Sequence, residues 1–279
     1  MSNFKEMIKL DPTCLMIVDS MNLAFRYKHA KSVEFVDDYI RTVKSLQHSY
    51  KAGKVIIVGD QGSSSYRKAI HPEYKANRKE KFENQTEAEA QEFKEFLEEF
   101  NKTLVAIDNE FPTLKFEKVE ADDIASYIVS KARNMGIKTV WLISSDRDWD
   151  LLIDVDVNRF SYVTRKEVTF DNWHTHYDCE IDEYISMKCL AGDSGDNIPG
   201  VEGVGPKRSA DLIKQYGSAY DIVAALPINS KYKYIQNLNK SGDIILRNYE
   251  LMDLITYCEE ALGEENCKEI NKVLEGYLT

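Results

Sequence analysis

Three apolar runs along the chain each end in acidic residues. Short runs of this kind, rich in Val and Ile, predict buried strands of a parallel sheet. Because ligands of open α/β sheets bind outside the carboxyl ends of the strands, we expect the acids to meet in one site. For each run taken alone, the alternative is that the acids belong to an ordinary polar loop after a strand. The runs are residues 14–18, 55–58 and 139–143, and the acids that follow them are Asp19, Asp60, Asp146 and Asp148.

The remaining hydrophobic pattern predicts helices around that sheet. Residues 35–50 have apolar side chains at helical spacing between the first two runs, as in a βαβ unit. Residues 157–162 and 167–170 predict a short hairpin. The predicted fold is therefore α/β: a mixed, mainly parallel central sheet flanked by helices in residues 1–180, with a helical insertion at about 66–112. Residues 181–279 are predicted mostly helical, at 183–190, 207–216, 219–226, 231–238 and 244–255.

Composition limits the class of protein. The 279 residues are 43% apolar, which is enough for one large domain or two modest ones. No run is long enough for a membrane helix, and residues 1–11 have no apolar signal region. The five cysteines lack C-x-x-C spacing, so we expect reduced thiols in a cytoplasmic protein. The net charge of −11 argues against nucleic-acid binding unless the basic residues are clustered.

Two further motifs add acidic residues. One lies at a predicted helix start, where acids are common for helix-dipole reasons alone, and the other lies in a glycine-rich turn. Carboxylates without His or Cys are the ligands of Mg²⁺ or Mn²⁺ rather than zinc. The carboxylates are more numerous than one ion needs, and a pair of divalent ions suits phosphodiester hydrolysis. The full set of candidates is Asp19, Asp60, Glu120, Asp122, Asp123, Asp146, Asp148, Asp193 and Asp196.

Positive charge is clustered in two other stretches. Residues 66–81 are basic and aromatic, and with the helical pattern at 87–100 they predict an arch or flap over the site. Residues 198–208 are glycine-rich and predict a helix-hairpin-helix at about 186–216, a DNA-backbone clamp that is independent of sequence. Its candidate DNA contacts are Gly200, Gly203, Gly205, Lys207 and Arg208.

Taken together, these motifs resemble the 5′-nucleases of the flap endonuclease family, most of all the stand-alone bacteriophage enzymes. The resemblance extends from the first run to about Tyr216. It implies the PIN-like 5′-nuclease fold, with a helical arch through which single-stranded 5′ flaps thread, and two-metal hydrolysis by a metal-activated water that releases a 5′-phosphate product. The residues that carry it are 17–19, 58–60, 67 with 72–75, 120–123, 146–148, and 192–193 through 207–208.

The resemblance also implies residue roles. Asp19, Asp60, Glu120 and Asp122 would hold the first Mg²⁺, and Asp146, Asp148, Asp193 and Asp196 the second, with Asp123 between them or in the outer shell. Lys75 and Arg78 would contact the scissile phosphate, and Tyr74 would stack on a base. Arg26 and Lys188 are further candidate DNA contacts. K⁺ would bind backbone carbonyls at the hairpin, which by position are those of Leu190, Ala191, Pro199, Val201 and Val204.

Other functions stay open at this point. The main alternative is a non-catalytic protein that binds branched DNA with the same fold, which predicts losses among the acids or at Lys75, and none occurs. An aspartyl phosphatase would need a second Asp after Asp19, where Met21 stands, and a PIN-type ribonuclease would not need the hairpin. We expect a monomer that acts on 5′-flap DNA, without a polymerase domain and without a sliding-clamp motif at residues 274–279.

Overall fold

The computed structural model describes residues 9–278, and the side chains of residues 80–82 lie outside that description. The expectations for residues 1–8 and for Thr279 therefore fall outside the described residues. A six-stranded sheet has the order β3-β2-β1-β4-β5-β6, with every pair parallel except β5 and β6. Its strands are β1 Asp11–Asp19, β2 Ala52–Val58, β3 Thr113–Leu114, β4 Thr139–Ile143, β5 Val157–Ser161 and β6 Lys166–Val168.

Helices cover both faces of the sheet and form most of the C-terminal region, with a small hairpin between the seventh and the eighth helix. That hairpin consists of β7 Gly192–Asp193 and β8 Ile198–Pro199. The helices are α1 Ser20–His29, α2 Val36–Ser49, α3 Ser65–Ile70, α4 Ala76–Glu83, α5 Glu87–Asp108, α6 Ala121–Ala132, α7 Tyr184–Ala191, α8 Pro206–Tyr216, α9 Ala219–Ala224, α10 Lys233–Leu238, α11 Gly242–Met252, α12 Leu254–Leu262 and α13 Glu264–Leu278.

The central strands are buried on both faces, as their unbroken apolar sequences require. Alternate side chains of β1 enter different cores: Leu15 and Ile17 pack with α6, α12 and α13, whereas Met16 and Val18 pack with α1, α2 and α5. Register brings the carboxyl ends of the strands together, since Asp19 pairs with Val58. Val18 likewise pairs with Ile143 of β4. The acids that follow these strands therefore share one edge of the sheet.

The predicted insertion at 66–112 is only partly separate from the core. The second half of α5 packs into the core beside α2 through Phe100, Leu104 and Ile107. α3 instead contacts α11 and α12 of the helical region. The parts of the insertion that lie outside these cores are therefore α4 and the exposed start of α5 at residues 87–92.

The C-terminal helices depart from the predicted pattern near residue 253 and beyond it, where α12 and α13 lie and no separate helices were placed. The helix expected at 244–255 breaks at Asp253, whose carboxylate caps α12 by accepting from the backbone N–H groups of Ile255 and Thr256. This break turns α12 back toward the sheet, where it packs on α6. In the described part of the chain, no helix is long and apolar enough to cross a membrane.

Candidate active site

The acids of three strands meet at the carboxyl edge of the sheet. Asp19 ends β1, Asp60 lies just beyond β2, and Asp146 lies just beyond β4. Asp19 is buried and accepts hydrogen bonds from the Asn22 backbone N–H at 3.1 Å and from the Ser144 hydroxyl at 2.9 Å. Burial, and then the nearby charges of Asp60 and Asp146, raise the pKa of Asp19 to about 8. Such a shift is typical of carboxylates crowded together without a compensating cation.

The start of α6 adds Glu120 and Asp122 to this edge. Burial alone would raise the pKa of Glu120, but the charges of Lys75 and Arg67 hold it below its usual value. Asp122 has the opposite balance: burial and then the charge of Asp146 raise its pKa well above the usual range. The Trp149 indole N–H donates to Asp122 and fixes its orientation. Glu120 has nearby cations that compensate its charge, whereas Asp122 lies closer to another acid.

The turn between α7 and α8 brings Asp193 and Asp196 to the same place. Lys188 Nζ lies 2.6 Å from Asp148 and 3.1 Å from Asp193, so it joins the loop after β4 to this turn. Although Asp193 is partly desolvated, Lys188 keeps its pKa below the usual value. Burial raises the pKa of Asp196, although Lys75 and Arg78 oppose the shift.

The base of the arch supplies the remaining cations. Lys75 Nζ lies 2.8 Å from Glu120 and 3.7 Å from Asp196, and Arg78 Nη2 lies 2.7 Å from Asp196. The backbone of Lys75 is left-handed, with φ of 56°, and its N–H donates to the Asp196 carbonyl at 2.9 Å. A left-handed lysine is strained and is kept only where surrounding contacts hold it. The structure therefore fixes Lys75 among the acids.

The structure gives two predicted site residues partners within the protein. Tyr74 is not available to stack on a base in this structure, because it is buried and its hydroxyl donates to Glu120 at 2.8 Å and to Asp196 at 3.0 Å. Both oxygens of Asp123 accept from the buried Arg67 guanidinium at 2.7 Å, which fits the outer-shell alternative expected for Asp123 better than a position between two ions. Arg67 also lies 3.5 Å from Glu120, so Asp123 influences the acid cluster only through Arg67.

Lys188 needs a similar correction. It is not an exposed DNA contact in this structure, since it is largely buried between Asp148 and Asp193. Arg26 is exposed on α1, with its guanidinium 4.5 Å from the centre of the Tyr162 ring and Nη1 3.2 Å from the Thr42 hydroxyl. It remains accessible to a ligand.

Sequence reasoning missed the support beneath the loop after β4. Asp150 is fully buried and pairs with Arg159, whose Nη1 also donates to the Ser144 carbonyl at 2.9 Å. The Tyr177 hydroxyl donates to the same carboxylate. Asp150 has the same spacing from Asp148 as Asp148 has from Asp146, so sequence alone gave no means of separating this structural acid from the other two.

The glycine-rich hairpin is shaped by close backbone packing. A Cβ on Gly200 would lie 2.2 Å from the Ala191 carbonyl, and Gly203 has a left-handed φ of 81°. By contrast, Gly205 has open space where a Cβ would be. Lys207 and Arg208 are exposed at the start of α8, and Arg208 Nη1 donates to the Gly203 carbonyl at 2.5 Å.

The five carbonyls expected to bind K⁺ lie around this hairpin, and several already accept hydrogen bonds. The Leu190 carbonyl accepts from the Val201 N–H at 2.8 Å, and the Val201 carbonyl accepts from the Val204 N–H at 2.9 Å. The Pro199 carbonyl accepts from the Asn248 amide at 2.8 Å. A carbonyl has two lone pairs, so each retains capacity for one more partner.

Within residues 9–278, no group of three or more His, Cys, Asp or Glu side chains is arranged to hold a metal ion together. The amino groups of Lys75 and Lys188 stand between the acids instead. The donor chemistry nevertheless fits a divalent cation, because the side-chain groups here that can act as metal ligands are mainly carboxylates. Several of them, such as Asp19 and Asp122, carry raised pKa values that a cation would reverse.

The site combines an acidic sheet edge, a basic arch base and a glycine-rich hairpin. This combination is typical of one class of protein, the phosphodiester-cleaving nucleases. Two family models make the assignment specific. The model described as 5′-3′ exonuclease, N-terminal resolvase-like domain, matches residues 14–178. The model described as 5′-3′ exonuclease, C-terminal SAM fold, matches residues 179–272. The chain belongs to the 5′-3′ exonuclease family.

Individual relatives agree with this assignment. The flap endonuclease of Escherichia phage T5 is 44% identical over 251 residues, which are 89% of this chain and 86% of that protein. The flap endonuclease Xni of Shewanella woodyi is 27% identical over 250 residues, which are 86% of this chain and 92% of that one. The prediction of a 5′-nuclease of the flap endonuclease type is confirmed.

Solved structures confirm the predicted fold class. The phage T5 5′-exonuclease with bound zinc ions superposes with a TM-score of 0.91 at 40% identity, covering 95% of this chain and 100% of that one. A pseudo-enzyme-product complex of a T5 D15 flap endonuclease variant, with DNA and metal ions, also gives 0.91 at 41% identity, covering 95% of this chain and 99% of that one.

Proposed function

We propose that this protein is a structure-specific 5′-3′ exonuclease and flap endonuclease that cuts DNA near junctions of a 5′ single strand with a duplex. The observation that carries the proposal is the position of Lys75, 2.8 Å from Glu120 and 3.7 Å from Asp196. This lysine belongs to the arch base, Glu120 to the sheet edge and Asp196 to the hairpin region. A DNA strand that reaches Lys75 is therefore also close to the acids of the sheet edge and of the hairpin region.

The acids would hold two divalent ions, Mg²⁺ or, as a substitute, Mn²⁺. The first ion would use Asp19, Asp60, Glu120 and Asp122, and the second Asp146, Asp148, Asp193 and Asp196. Bound ions of this kind supply a nucleophilic water at neutral pH and neutralise the charge that develops on the phosphate. The metal ions in the T5 5′-exonuclease structures support a divalent requirement.

Lys75 and Arg78 would stabilise the scissile phosphate. Both cations pair with acids of the cluster, Lys75 with Glu120 and Arg78 with Asp196, so they lie where a phosphate bound at these acids would meet them. A positioned cation acts most strongly where negative charge increases during the reaction. Tyr74 would hold Glu120 and Asp196 in place, since its hydroxyl donates to both.

The hairpin would hold the duplex. Gly200 and Gly203 allow a tight backbone turn, and Lys207 and Arg208 add exposed positive charge next to it. K⁺ would use the remaining lone pairs of the Leu190, Pro199 and Val201 carbonyls. The name of a 44% identical relative, the flap endonuclease of Escherichia phage T5, supports a flap substrate. We further propose that the protein acts as a monomer in the cytoplasm of the host cell.

A labelled flap substrate tests the proposed function. We expect the protein with Mg²⁺ to cut a 5′-flap duplex near its junction and to leave a 5′-phosphate on the duplex product. EDTA should stop the reaction, and a duplex with blunt closed ends is the control. Tight binding of the flap without cleavage in Mg²⁺ or Mn²⁺ would instead establish the non-catalytic DNA binder.

The metal assignment has its own test. Ligands that bind only the folded state raise its stability, by about 2.7 kcal/mol at a concentration of 100 Kd. We expect Mn²⁺ to raise the melting temperature over that in EDTA, and Asp148→Asn to reduce the increase. Asp178→Asn, an exposed acid away from the cluster, is the matched control and should leave the increase unchanged. An equal increase in all three proteins would refute the assignment.

A further inference from the structure

The loop after β4 reaches across the acid cluster to carboxylates that other elements supply. We call residues 144–150 the β4 loop. Its first residue, Ser144, is buried, and the Ser144 hydroxyl donates to Asp19 at the end of β1 at 2.9 Å. The same oxygen accepts from the backbone N–H of Asp146 at 3.1 Å. One hydroxyl therefore joins an acid proposed for the first ion to the backbone of an acid proposed for the second.

A second neutral donor lies near the end of the β4 loop. Trp149 is fully buried, and its indole N–H donates to Asp122 of α6 at 2.5 Å. Trp149 directly follows Asp148, which is proposed for the second ion, whereas Asp122 is proposed for the first. The indole has a donor and no acceptor, so it holds one oxygen of Asp122 and leaves the other oxygen to a cation.

The β4 loop is itself held by its neighbours. Arg159 of β5 donates to the Ser144 carbonyl at 2.9 Å and makes two hydrogen bonds to the buried carboxylate of Asp150. At the other side, the Ser145 N–H donates to the Asn22 side chain of α1 at 2.8 Å. Donors on a loop that is held in this way orient their acceptors, as hydrogen bonds around metal sites generally do.

Asp19 and Asp122 depend on neutral donors for their orientation. Lys75 pairs with Glu120 and Lys188 pairs with Asp148, at 2.8 Å and 2.6 Å. Among the described side chains, by contrast, no Lys, Arg or His lies at ion-pair distance from Asp19 or Asp122. Their positions are therefore set by hydrogen bonds, and one such bond to each carboxylate comes from the β4 loop.

We propose that Ser144 and Trp149 are positioning residues for divalent ions. By holding Asp19 and Asp122, they keep the acids of the first ion in register with the acids that the β4 loop contributes to the second. This inference rests on the proposed function, because it takes the acid cluster as the site of both ions. Neither residue contacts the DNA, so their effect is on ion affinity.

Calorimetric titration with Mn²⁺ tests the proposal without cleavage. Ser144→Ala and Trp149→Phe remove the two donors. The matched controls are Ser126→Ala and Trp173→Phe, because both residues are buried and donate at 2.7 Å to backbone carbonyls instead of carboxylates. Loss of a supporting hydrogen bond typically weakens metal binding by about 10- to 100-fold. We expect each donor variant to raise the Kd of Mn²⁺ about tenfold and each control to stay within about twofold of wild type.

A double-substitution cycle identifies the carboxylate through which the indole acts. Asp122→Ala removes the acceptor, so adding Trp149→Phe should cause no further loss of Mn²⁺ affinity. A further tenfold loss in the Asp122→Ala background would contradict the role of this hydrogen bond.

The indole N–H resonances of the wild type give a test that needs no variant to fold. The chain has three tryptophans, and their indole signals are resolved in a ¹⁵N-labelled sample. Because Asp122 would change its partners when an ion binds, Mg²⁺ should shift the Trp149 indole signal and leave the Trp173 signal in place. A Trp149 signal that stays in place while Mg²⁺ raises the melting temperature would overturn the proposal.

The positioning role and the proposed function can fail separately. Suppose the wild type binds Mn²⁺ and cuts a 5′ flap, while Ser144→Ala and Trp149→Phe lose stability in urea but bind Mn²⁺ like wild type. The two residues are then structural, and the positioning role alone is wrong. Weaker Mn²⁺ binding in both variants of a protein that never cuts a flap would instead refute the nuclease proposal and keep the positioning role.

Discussion

At the scale of single residues, a carboxylate's partner decides its role. Asp122 and Asp123 are neighbours at the start of α6, yet Asp122 faces Asp146 and has a strongly raised pKa, whereas Asp123 is neutralised by Arg67. Asp148 and Asp150 repeat the contrast, since Asp150 is buried against Arg159. Asp123 and Asp150, each with both oxygens taken by one buried arginine, support the site, whereas Asp122 and Asp148 have no such partner and are available to a cation.

The Arg67–Asp123 pair gives a prediction on stability. Asp123→Asn would leave a buried guanidinium without its counter-charge, which typically costs about 3 kcal/mol or more. We expect urea unfolding in EDTA to show a loss of that order. Asp178→Asn is the control: Asp178 is exposed and lies away from the acid cluster, so its substitution should change the free energy of unfolding by less than about 0.5 kcal/mol. Equal stability of the two variants would make Asp123 a member of the ligand cluster after all.

Residue types and spacing were enough to find the acids but not to sort them. The carboxyl ends of three apolar runs identified Asp19, Asp60 and Asp146 because parallel strands end at one edge. The burial of Tyr74 and Lys188 could not be predicted, because it depends on how the arch base and the α7–α8 turn pack against each other. That packing joins residues more than 100 positions apart, such as Tyr74 with Asp196.

At the scale of elements, strands were predicted better than the last helices. An unbroken apolar run has few alternatives to a buried strand, whereas the helical pattern at 244–255 continued through Asp253, where the chain turns. The residues after Cys258 gave no functional signal. In the structure α12 and α13 place Leu262, Ile270 and Leu274 in the same core as Leu15 and Ile17 of β1.

This packing makes α13 a structural requirement of the α/β core. Leu274 is fully buried, and Leu274→Ala should lower the free energy of unfolding by about 3 kcal/mol through lost burial and a cavity. Val155, 66% exposed, is the control, and Val155→Ala should cost less than about 0.5 kcal/mol. Urea titrations measure both. A loss below 1 kcal/mol for Leu274→Ala would contradict the packing of α13 on the sheet.

The hairpin offers a second prediction at this scale. Gly200→Ala would force a methyl group to 2.2 Å from the Ala191 carbonyl, so the turn must open. We expect at least about a tenfold loss of duplex affinity, because backbone contacts to phosphate depend on that turn. Gly205→Ala has free space and extended backbone, with φ of −100°, and should bind within about twofold of wild type. Anisotropy with a labelled duplex distinguishes them, and similar affinities would contradict the role of the hairpin.

At the scale of the whole molecule, the active site joins parts that the sequence suggested were separate. The sheet edge contributes Asp19 and Glu120, the helical region contributes Asp196, and the arch base contributes Lys75. The net charge of −11 is a total for the chain, and positive charge is still gathered locally where Lys68, Lys75, Arg78 and Lys79 lie together at the arch base. The protein presents local positive charge to the strand despite its overall acidity.

Single-turnover cleavage of a 5′-flap duplex, with the affinity of the same substrate measured in parallel, shows whether Lys75 takes part in the chemistry or only in binding. Lys75→Ala removes the cation between Glu120 and Asp196, and Lys272→Ala removes a distant surface cation as a control. We predict that Lys75→Ala slows cleavage by about 100-fold or more while Kd changes by less than about threefold. If Lys75→Ala cuts at the wild-type rate, or loses rate only as far as it loses affinity, Lys75 has no part in the chemistry and the central claim is wrong.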